Sequence, residues 1–124
     1  MVLLFWQALV GLVFYDVVMW RRGLSAMLCC VRNCNVAAHT ATPEIVERVG
    51  SAVETACIWY PRKALCLQRS AVTTYLLRRQ GIPARLVIGT KVMPLLAHAW
   101  VEINGVVIND WPRVQQAYVT IAQF

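Results

Sequence analysis

Two residues, Cys66 and His98, are of the types that together carry out nucleophilic chemistry. Cys66 falls at the start of a predicted helix, where unpaired backbone N–H groups and the positive end of the helix dipole stabilise a thiolate. A thiolate attacks carbonyl carbon, and the same N–H groups can bind the oxyanion that results. A single cysteine is more commonly a small buried apolar residue, and this is the alternative interpretation of Cys66 taken alone. The presence of His98 favours the reactive interpretation, because its imidazole can act as the base.

His98 lies in a predicted strand whose two faces differ in polarity. Because successive side chains of a strand point to opposite faces, His98, Trp100 and Glu102 share the less apolar face. An imidazole beside an indole is typical of a strand that lines a cleft, and we expect Trp100 to form one wall of it. Core packing of Trp100 is the alternative interpretation. The opposite face is apolar and suited to packing, and it carries Ala97, Ala99, Val101 and Ile103.

The partner of the imidazole depends on the hairpin loop at Asn104-Gly105. If these two residues form a tight two-residue turn, His98 lies opposite Trp111 in the neighbouring strand. Asp110 would then point to the wrong face of the sheet. In that case Asn109 would be the better partner for His98, giving a Cys-His-Asn arrangement.

A three-residue loop leads to a different partner. With Gly105 in the left-handed position of a bulge, Glu102 pairs with Val106. Counting back along the two strands, His98 then lies directly across from Asp110. A carboxylate at that position would fix the tautomer of the imidazole and stabilise its charge. The catalytic interpretation therefore predicts the bulged loop.

A second hydrogen-bond donor to the oxyanion is expected besides the backbone N–H of Cys66. Tyrosine, tryptophan and glutamine side chains all carry an O–H or N–H donor. The candidates are Tyr60 and Trp59, which come shortly before Cys66, and Gln68, which follows it. The sequence does not distinguish among the three.

The elements that position these residues are predicted from apolar spacing and from helix and turn signals. Helices precede a set of antiparallel strands, an order that predicts an α+β domain. Thr42-Pro43-Glu44 is a helix start signal, and Gly81 and Pro83 follow the helix that begins at Cys66. The predicted helices are Val2 to Trp20, Leu24 to about Val31, Pro43 to about Tyr60 and Cys66 to Gln80; the predicted strands are Ala84 to Thr90, Ala97 to Ile103 and Val106 to Asp110, with a further strand in the tail from Tyr118 to Ile121.

The chain has 124 residues, enough for one domain with a modest core. Within that single domain we separate an apolar N-terminal helical region, 1–42, which packs on the core or docks a partner, from a catalytic core, 43–124. Val2 to Trp20 is long enough to span a membrane. Because Gln7 and Asp16 interrupt this run and Arg21-Arg22 follows it, we favour a packed helix, with membrane association as the alternative.

Charge and cysteine content limit the partners and the compartment. Twelve Lys and Arg against six Asp and Glu give a formal charge of +6, which favours acidic partners such as a peptide segment, a lipid surface or nucleic acid. The five cysteines cannot all pair within one chain and form no regular framework, which favours a reducing, cytoplasmic compartment. No C-x-x-C pair is present, so we expect no metal site.

Four blocks of sequence agree in order and spacing with one family pattern. They are Cys-Leu-Gln-Arg-Ser at 66–70, Leu-Leu-Arg-Arg-Gln-Gly-Ile-Pro-Ala-Arg-Leu-Val-Ile-Gly at 76–89, Ala-His-Ala-Trp-Val-Glu-Ile-Asn-Gly at 97–105 and Asn-Asp at 109–110. Over about residues 61–118 the chain resembles the transglutaminase-like leader peptidases of lasso-peptide biosynthesis. The resemblance implies a transglutaminase- or papain-like cysteine protease fold, with N-terminal helices followed by a small antiparallel sheet.

The resemblance also implies the catalytic residues, the substrate and the partners. Cys66, His98 and Asp110 would form a Cys-His-Asp triad that removes the leader from a ribosomally made precursor peptide, without a cofactor. A separate ATP-dependent lasso cyclase would then act on the freed core. In the split form of such systems a separate leader-recognition protein grips the leader, and because this chain leaves no room for that domain we expect the split form. No nucleic-acid partner is expected.

Two other functions fit the same sequence. An amine could intercept the acyl-enzyme, giving transamidation, or the acyl-enzyme could form from a side-chain amide, giving deamidation. Alternatively, the chain is a non-catalytic membrane or partner-binding subunit that uses its apolar N-terminus as an anchor. The surfaces that could dock a companion protein or an acidic leader are the apolar N-terminal helix and the basic residues Arg62, Lys63, Arg78, Arg79 and Arg85.

Overall fold

The predicted helices and strands are present in a computed structural model, which describes residues 2–33, 43–61, 65–91, 96–110 and 113–124. Helices precede a four-stranded antiparallel sheet, so the α+β prediction is confirmed. Thr42, Arg62, Lys63 and Trp111 lie outside the described residues. The elements are α1 Val2–Arg21, α2 Leu24–Arg32, α3 Pro43–Trp59, α4 Cys66–Arg79, β1 Ala84–Lys91, β2 Leu96–Ile103, β3 Val106–Val107, α5 Val114–Ala117 and β4 Val119–Gln123.

Helix α1 packs one of its sides against α3 and α4. Ala8 and Leu12 are fully buried there, and Tyr15 is 7% exposed. The carbonyl oxygen of Leu12 lies 2.9 Å from Nε2 of Gln68, which donates to it, and 3.3 Å from the hydroxyl of Tyr60. These contacts join α1 to α4 and to the end of α3, so this helix is part of the packed domain.

The other side of α1 is an exposed apolar stripe. By length and composition Leu3–Arg21 could also cross a membrane, a test that core helices of soluble proteins pass as well. A row of exposed apolar side chains along one helix is typical of a surface that contacts another molecule. We call it the outer α1 stripe, and it consists of Leu3, Trp6, Val10, Val13, Phe14, Val17 and Trp20.

The sheet has the strand order β3-β2-β1-β4, and its two faces are covered by different elements. Ala99 packs with Leu86 and Ala71 on the face that contacts α4. Trp100 is fully buried on the opposite face, against Val87 and Val114. The predicted division of β2 into two faces is therefore confirmed, although the face that carries Trp100 is also covered.

The hairpin between β2 and β3 has a tight turn, so the predicted bulged loop is wrong. Ile103 lies opposite Val106, which leaves only Asn104 and Gly105 in the loop. Their φ angles are 51° and 82°, and Asn-Gly suits a turn with two positive φ angles better than any bulge. The strand predicted to reach Asp110 ends at Val107.

Two features at the far end of the sheet hold its remaining elements together. The predicted tail strand is present as β4, which pairs with β1. Arg78 was expected on a basic docking surface, but it is only 8% exposed. Its Nε donates to the carbonyl oxygen of Ala84 at 2.8 Å, and its terminal nitrogens bond the carbonyl oxygens of Val31 and Phe124. Arg78 therefore ties α2, α4 and the chain end to the start of β1.

Substitution of Gly89 by alanine should destabilise the fold. An added Cβ would lie 2.6 Å from the Trp100 ring and 2.9 Å from Cβ of Tyr118, on the strand position opposite His98. We expect a loss of about 1–3 kcal/mol in the free energy of unfolding, measured by urea denaturation. Gly50→Ala is the matched control, because no atom lies within 4 Å of its added Cβ and alanine favours the helix. Equal stability of the two variants would contradict this packing.

Candidate active site

His98 and Asp110 are brought together at one end of the sheet. Nε2 of His98 is hydrogen-bonded to Oδ2 of Asp110, and the two side chains are 22% and 20% exposed. The tight turn does not prevent this contact, since β3 ends at Val107 and the strand register no longer fixes where Asp110 points. Asp110 therefore contacts His98 as expected, but from the segment after β3 and not from a strand position directly opposite His98.

The imidazole of His98 lies among aromatic rings. Its centroid is 5.3 Å from that of Tyr118 and 6.1 Å from that of Trp100. The indole N–H of Trp100 donates to Oε2 of Glu102 at 2.7 Å, so this donor is already in use. Among the described residues, no hydrogen bond is made to Nδ1 of His98. A ring held through Nε2 in this way presents Nδ1 for reaction.

Asn109 bridges β2 and α4 and does not contact His98 through a hydrogen bond. Its Oδ1 accepts the backbone N–H of Val101 at 2.8 Å, and its Nδ2 donates to Oγ of Ser70 at 3.1 Å. Oγ of Ser70 in turn donates to the carbonyl oxygen of Ala99 at 3.2 Å. We call these contacts the Ser70–Asn109 bridge. The bridge serves backbone groups on the edge of β2 that β3 is too short to pair.

The alignment of α4 along β2 places Cys66 at the same level of the sheet as His98. Ser70 contacts Ala99, and Arg78, eight residues later, contacts Ala84, which pairs with position 103. Eight helical residues rise about 12 Å and four strand residues about 13 Å, so the helix and the strand run in step. Four residues before Ser70, at about 6 Å, Cys66 is level with positions 97 and 98.

Cys66 itself contacts a different set of neighbours from His98. It begins α4, as predicted, and it is partly buried against the cluster that contains Tyr15 and Ala99. In the part of the chain that the structure describes, no hydrogen bond joins its thiol to His98. The structure thus brings His98 and Asp110 into contact and places Cys66 beside the same end of the sheet.

The three side chains expected to donate to an oxyanion lie in different surroundings. The hydroxyl of Tyr60 is bonded to the carboxylate of Asp16, and Nε2 of Gln68 donates to Leu12. Both side chains are buried. Trp59 is 72% exposed at the end of α3. Two of the three candidates therefore use their donors to hold α1 in place.

Tyr15, which the sequence did not single out, lies in the cluster that Cys66 packs against. Burial, and then the nearby carboxylate of Asp16 and the thiol of Cys66, raise the pKa of Tyr15 to about 12. Its phenol therefore stays protonated at neutral pH and remains a hydrogen-bond donor. Because α1 is apolar nearly all round, its spacing does not mark Tyr15 as inward-facing, and no motif connects this residue with a cysteine 51 positions later.

The raised pKa of Tyr15 predicts a loss of stability in alkaline solution. Because the folded-state pKa lies above the ordinary value of about 10, this stabilisation is complete below pH 10 and is lost as the pH rises through about 12. We expect Tyr15→Phe to reduce that alkaline loss by about 2 kcal/mol in urea unfolding curves. Tyr75→Phe, at an exposed position of α4, is the control. An unchanged alkaline loss in Tyr15→Phe would contradict the assignment.

Removing the amide of Asn109 should destabilise the domain. Asn109→Ala leaves the N–H of the buried Val101 without its acceptor, which we expect to cost about 1–3 kcal/mol in the free energy of unfolding. Gln115→Ala is the matched control, because that amide donates to the carbonyl oxygen of Gly105 at an exposed site. A change of less than about 0.5 kcal/mol is expected there. Similar losses in both variants would argue against the bridge.

Comparison with known proteins relates the chain to one superfamily. Residues 9–123 match the transglutaminase-like superfamily. The chain is also similar to the microcin J25-processing protein McjB of Escherichia coli, with 39% identity over 61 residues, which are 49% of this chain and 29% of that protein. No solved structure matches the chain. The family match extends across nearly all of α1 to β4, and the chain therefore belongs to the transglutaminase-like superfamily.

Proposed function

We propose that this protein is a cysteine peptidase that removes the leader from a ribosomally made lasso-peptide precursor, with Cys66, His98 and Asp110 as its triad. The observation that carries the proposal is the hydrogen bond between His98 and Asp110 at the end of the sheet where α4 begins with Cys66. The similarity to a microcin J25-processing protein supports the peptide substrate. The match spans only 29% of that protein, so a lasso-peptide precursor as substrate is part of this proposal.

Each triad member has a role that follows from its position. Cys66 begins α4, so its backbone N–H is not used within the helix and can donate to an oxyanion. Asp110 accepts from Nε2 of His98 and fixes the tautomer with the lone pair at Nδ1. His98 can then exchange a proton with Cys66 and with the leaving amine through Nδ1. This mechanism requires the thiol of Cys66 and Nδ1 of His98, which no hydrogen bond joins in the described residues, to meet when substrate is bound.

The reaction proceeds in two steps. The sulfur of Cys66 forms a bond to the scissile carbonyl carbon, and the electron pair of the C=O bond moves to oxygen. When this intermediate collapses, the C–N bond breaks and protonated His98 gives its proton to the amine. In the second step His98 removes a proton from water, which attacks the thioester. The C–S bond then breaks with the sulfur of Cys66 as the leaving group, which frees the leader carboxylate and regenerates the thiol.

The surroundings of this site support a partnership with other proteins. We propose that the outer α1 stripe docks a separate leader-recognition protein that delivers the precursor, and that the lasso cyclase acts on the product. Beside the stripe, a groove of about 610 Å³ between α1, α2 and α4 includes Trp6, Phe14 and Tyr75 in its lining. Free cysteines at Cys29 and Cys57 are consistent with a cytoplasmic location. The same stripe would serve a membrane contact.

Cleavage of the precursor peptide tests the triad. We expect Cys66→Ala and His98→Ala to lower kcat by about 10⁴-fold or more, and Asp110→Ala by a smaller factor, in an assay that contains the leader-recognition protein. Each variant should unfold at nearly the temperature of the wild type, since all three side chains are partly exposed. Mass spectrometry follows the products, because hydrolysis adds water and splits the chain whereas deamidation leaves it whole.

Cys29→Ser is the control for this experiment, because Cys29 is an exposed cysteine on α2. It should cleave at the rate of the wild type. Cleavage that survives in Cys66→Ala would exclude the proposed chemistry and favour a non-catalytic subunit. Transfer of the leader to an added amine, with no hydrolysis, would favour the transamidase function. Loss of cleavage in Cys29→Ser would show that another thiol is required.

A further inference from the structure

We propose that the hydroxyl of Tyr15 is a catalytic hydrogen-bond donor to the oxyanion that forms when Cys66 attacks its substrate. The inference rests on the proposed cysteine peptidase function. It assigns a role to a residue of α1, a helix that the sequence connected only with packing, docking or anchoring. It also fills the position for which Tyr60 and Gln68 are unsuited, since their donors are held by α1.

The packing of α1 on α4 places Tyr15 beside Cys66. The two helices run in opposite directions, because Gly11 faces Val72 and Leu12 contacts Gln68. Continuing along α1 from position 12 to position 15 therefore leads towards the first residue of α4. Tyr15 and Cys66 accordingly pack into the same cluster, on the side of the sheet that carries Ala99.

The hydroxyl of Tyr15 is available for a ligand. The side chain is 7% exposed, yet within the described part of the chain its hydroxyl makes no hydrogen bond. The hydroxyl of Tyr60, on the same helix interface, is fully engaged by contrast. Among the described residues this hydroxyl is not one of the buried side-chain atoms that lack a hydrogen bond, so it reaches solvent and its O–H is open to a partner from outside the chain. A transient oxyanion on the Cys66 adduct would be that partner.

The protonation state of Tyr15 suits this role. Because burial and the neighbouring Asp16 raise its pKa to about 12, the phenol keeps its proton throughout the pH range in which a cysteine peptidase works. As the S–C bond forms, the C=O electron pair becomes localised on oxygen, which accepts the O–H of Tyr15 and the N–H of Cys66. No proton is transferred from Tyr15. When the intermediate collapses, the C=O bond re-forms and both hydrogen bonds weaken.

The test is Tyr15→Phe, which removes one oxygen atom and keeps the ring. We expect kcat for precursor cleavage to fall by about 10²–10³-fold with little change in KM. Alkylation of Cys66 by iodoacetamide, located by mass spectrometry, should keep its wild-type rate because that reaction forms no oxyanion. Tyr75→Phe is the matched control and should retain full cleavage, since Tyr75 is an exposed tyrosine of α4. Unfolding temperatures of both variants should match the wild type.

Several results would overturn the inference. Wild-type cleavage by Tyr15→Phe would show that the hydroxyl takes no part. An equal fall in cleavage and in alkylation would show that Tyr15 acts on the thiol and not on the oxyanion. Unfolding of Tyr15→Phe would show that the hydroxyl has a structural partner. The two proposals can fail separately. If Cys66→Ala cleaves the precursor as well as the wild type does, or if neither cleaves it, the proposed function is wrong. If cleavage depends on Cys66 but Tyr15→Phe cleaves like the wild type, only the inference about Tyr15 is wrong.

Discussion

The unpaired edge of β2 is the constraint on which the arrangement of this site depends. β3 pairs only with Glu102 and Ile103, and the N–H of Ile108 donates to the carbonyl oxygen of Val101, so the C=O of Ala99 and the N–H of Val101 on that edge need other partners. Buried backbone groups without partners would cost about 1–3 kcal/mol each. The Ser70–Asn109 bridge supplies those partners from α4 and from the segment after β3. The same contacts therefore set the distance between the helix that begins with Cys66 and the strand that carries His98.

The short β3 also explains how two neighbouring residues can do different work. In a continued ladder Asn109 and Asp110 would point to opposite faces of the sheet, and only one could reach His98. Because the chain leaves the ladder after Val107, Asn109 turns towards α4 and Asp110 towards His98. The tight Asn-Gly turn and the His98–Asp110 contact are thus compatible. Their apparent conflict came from extending β3 by three residues.

The sequence predicted the elements well because their signals are local. Apolar spacing, helix signals and the Asn-Gly turn place the helices and strands to within a few residues. What it missed depends on contacts between distant segments. Arg78 looked like a surface charge, yet it is buried because carbonyl oxygens from three other segments surround its guanidinium. Ser70 gave no signal of its own, since a buried hydroxyl and a solvated one look alike in sequence.

The two sides of α1 have different surroundings, and the nearly continuous apolar sequence of this helix does not distinguish them. A helix that is apolar nearly all round gives no indication of which side faces the core. The structure shows that Leu12 and Tyr15 face inwards, where Leu12 anchors Gln68 and Tyr15 lies beside Cys66. The outer α1 stripe remains available for another molecule. Both sides belong to one helix, so a molecule bound to the stripe would contact the same helix that places Tyr15 in the cluster with Cys66. The N-terminal helix is therefore part of the physical environment of the candidate nucleophile.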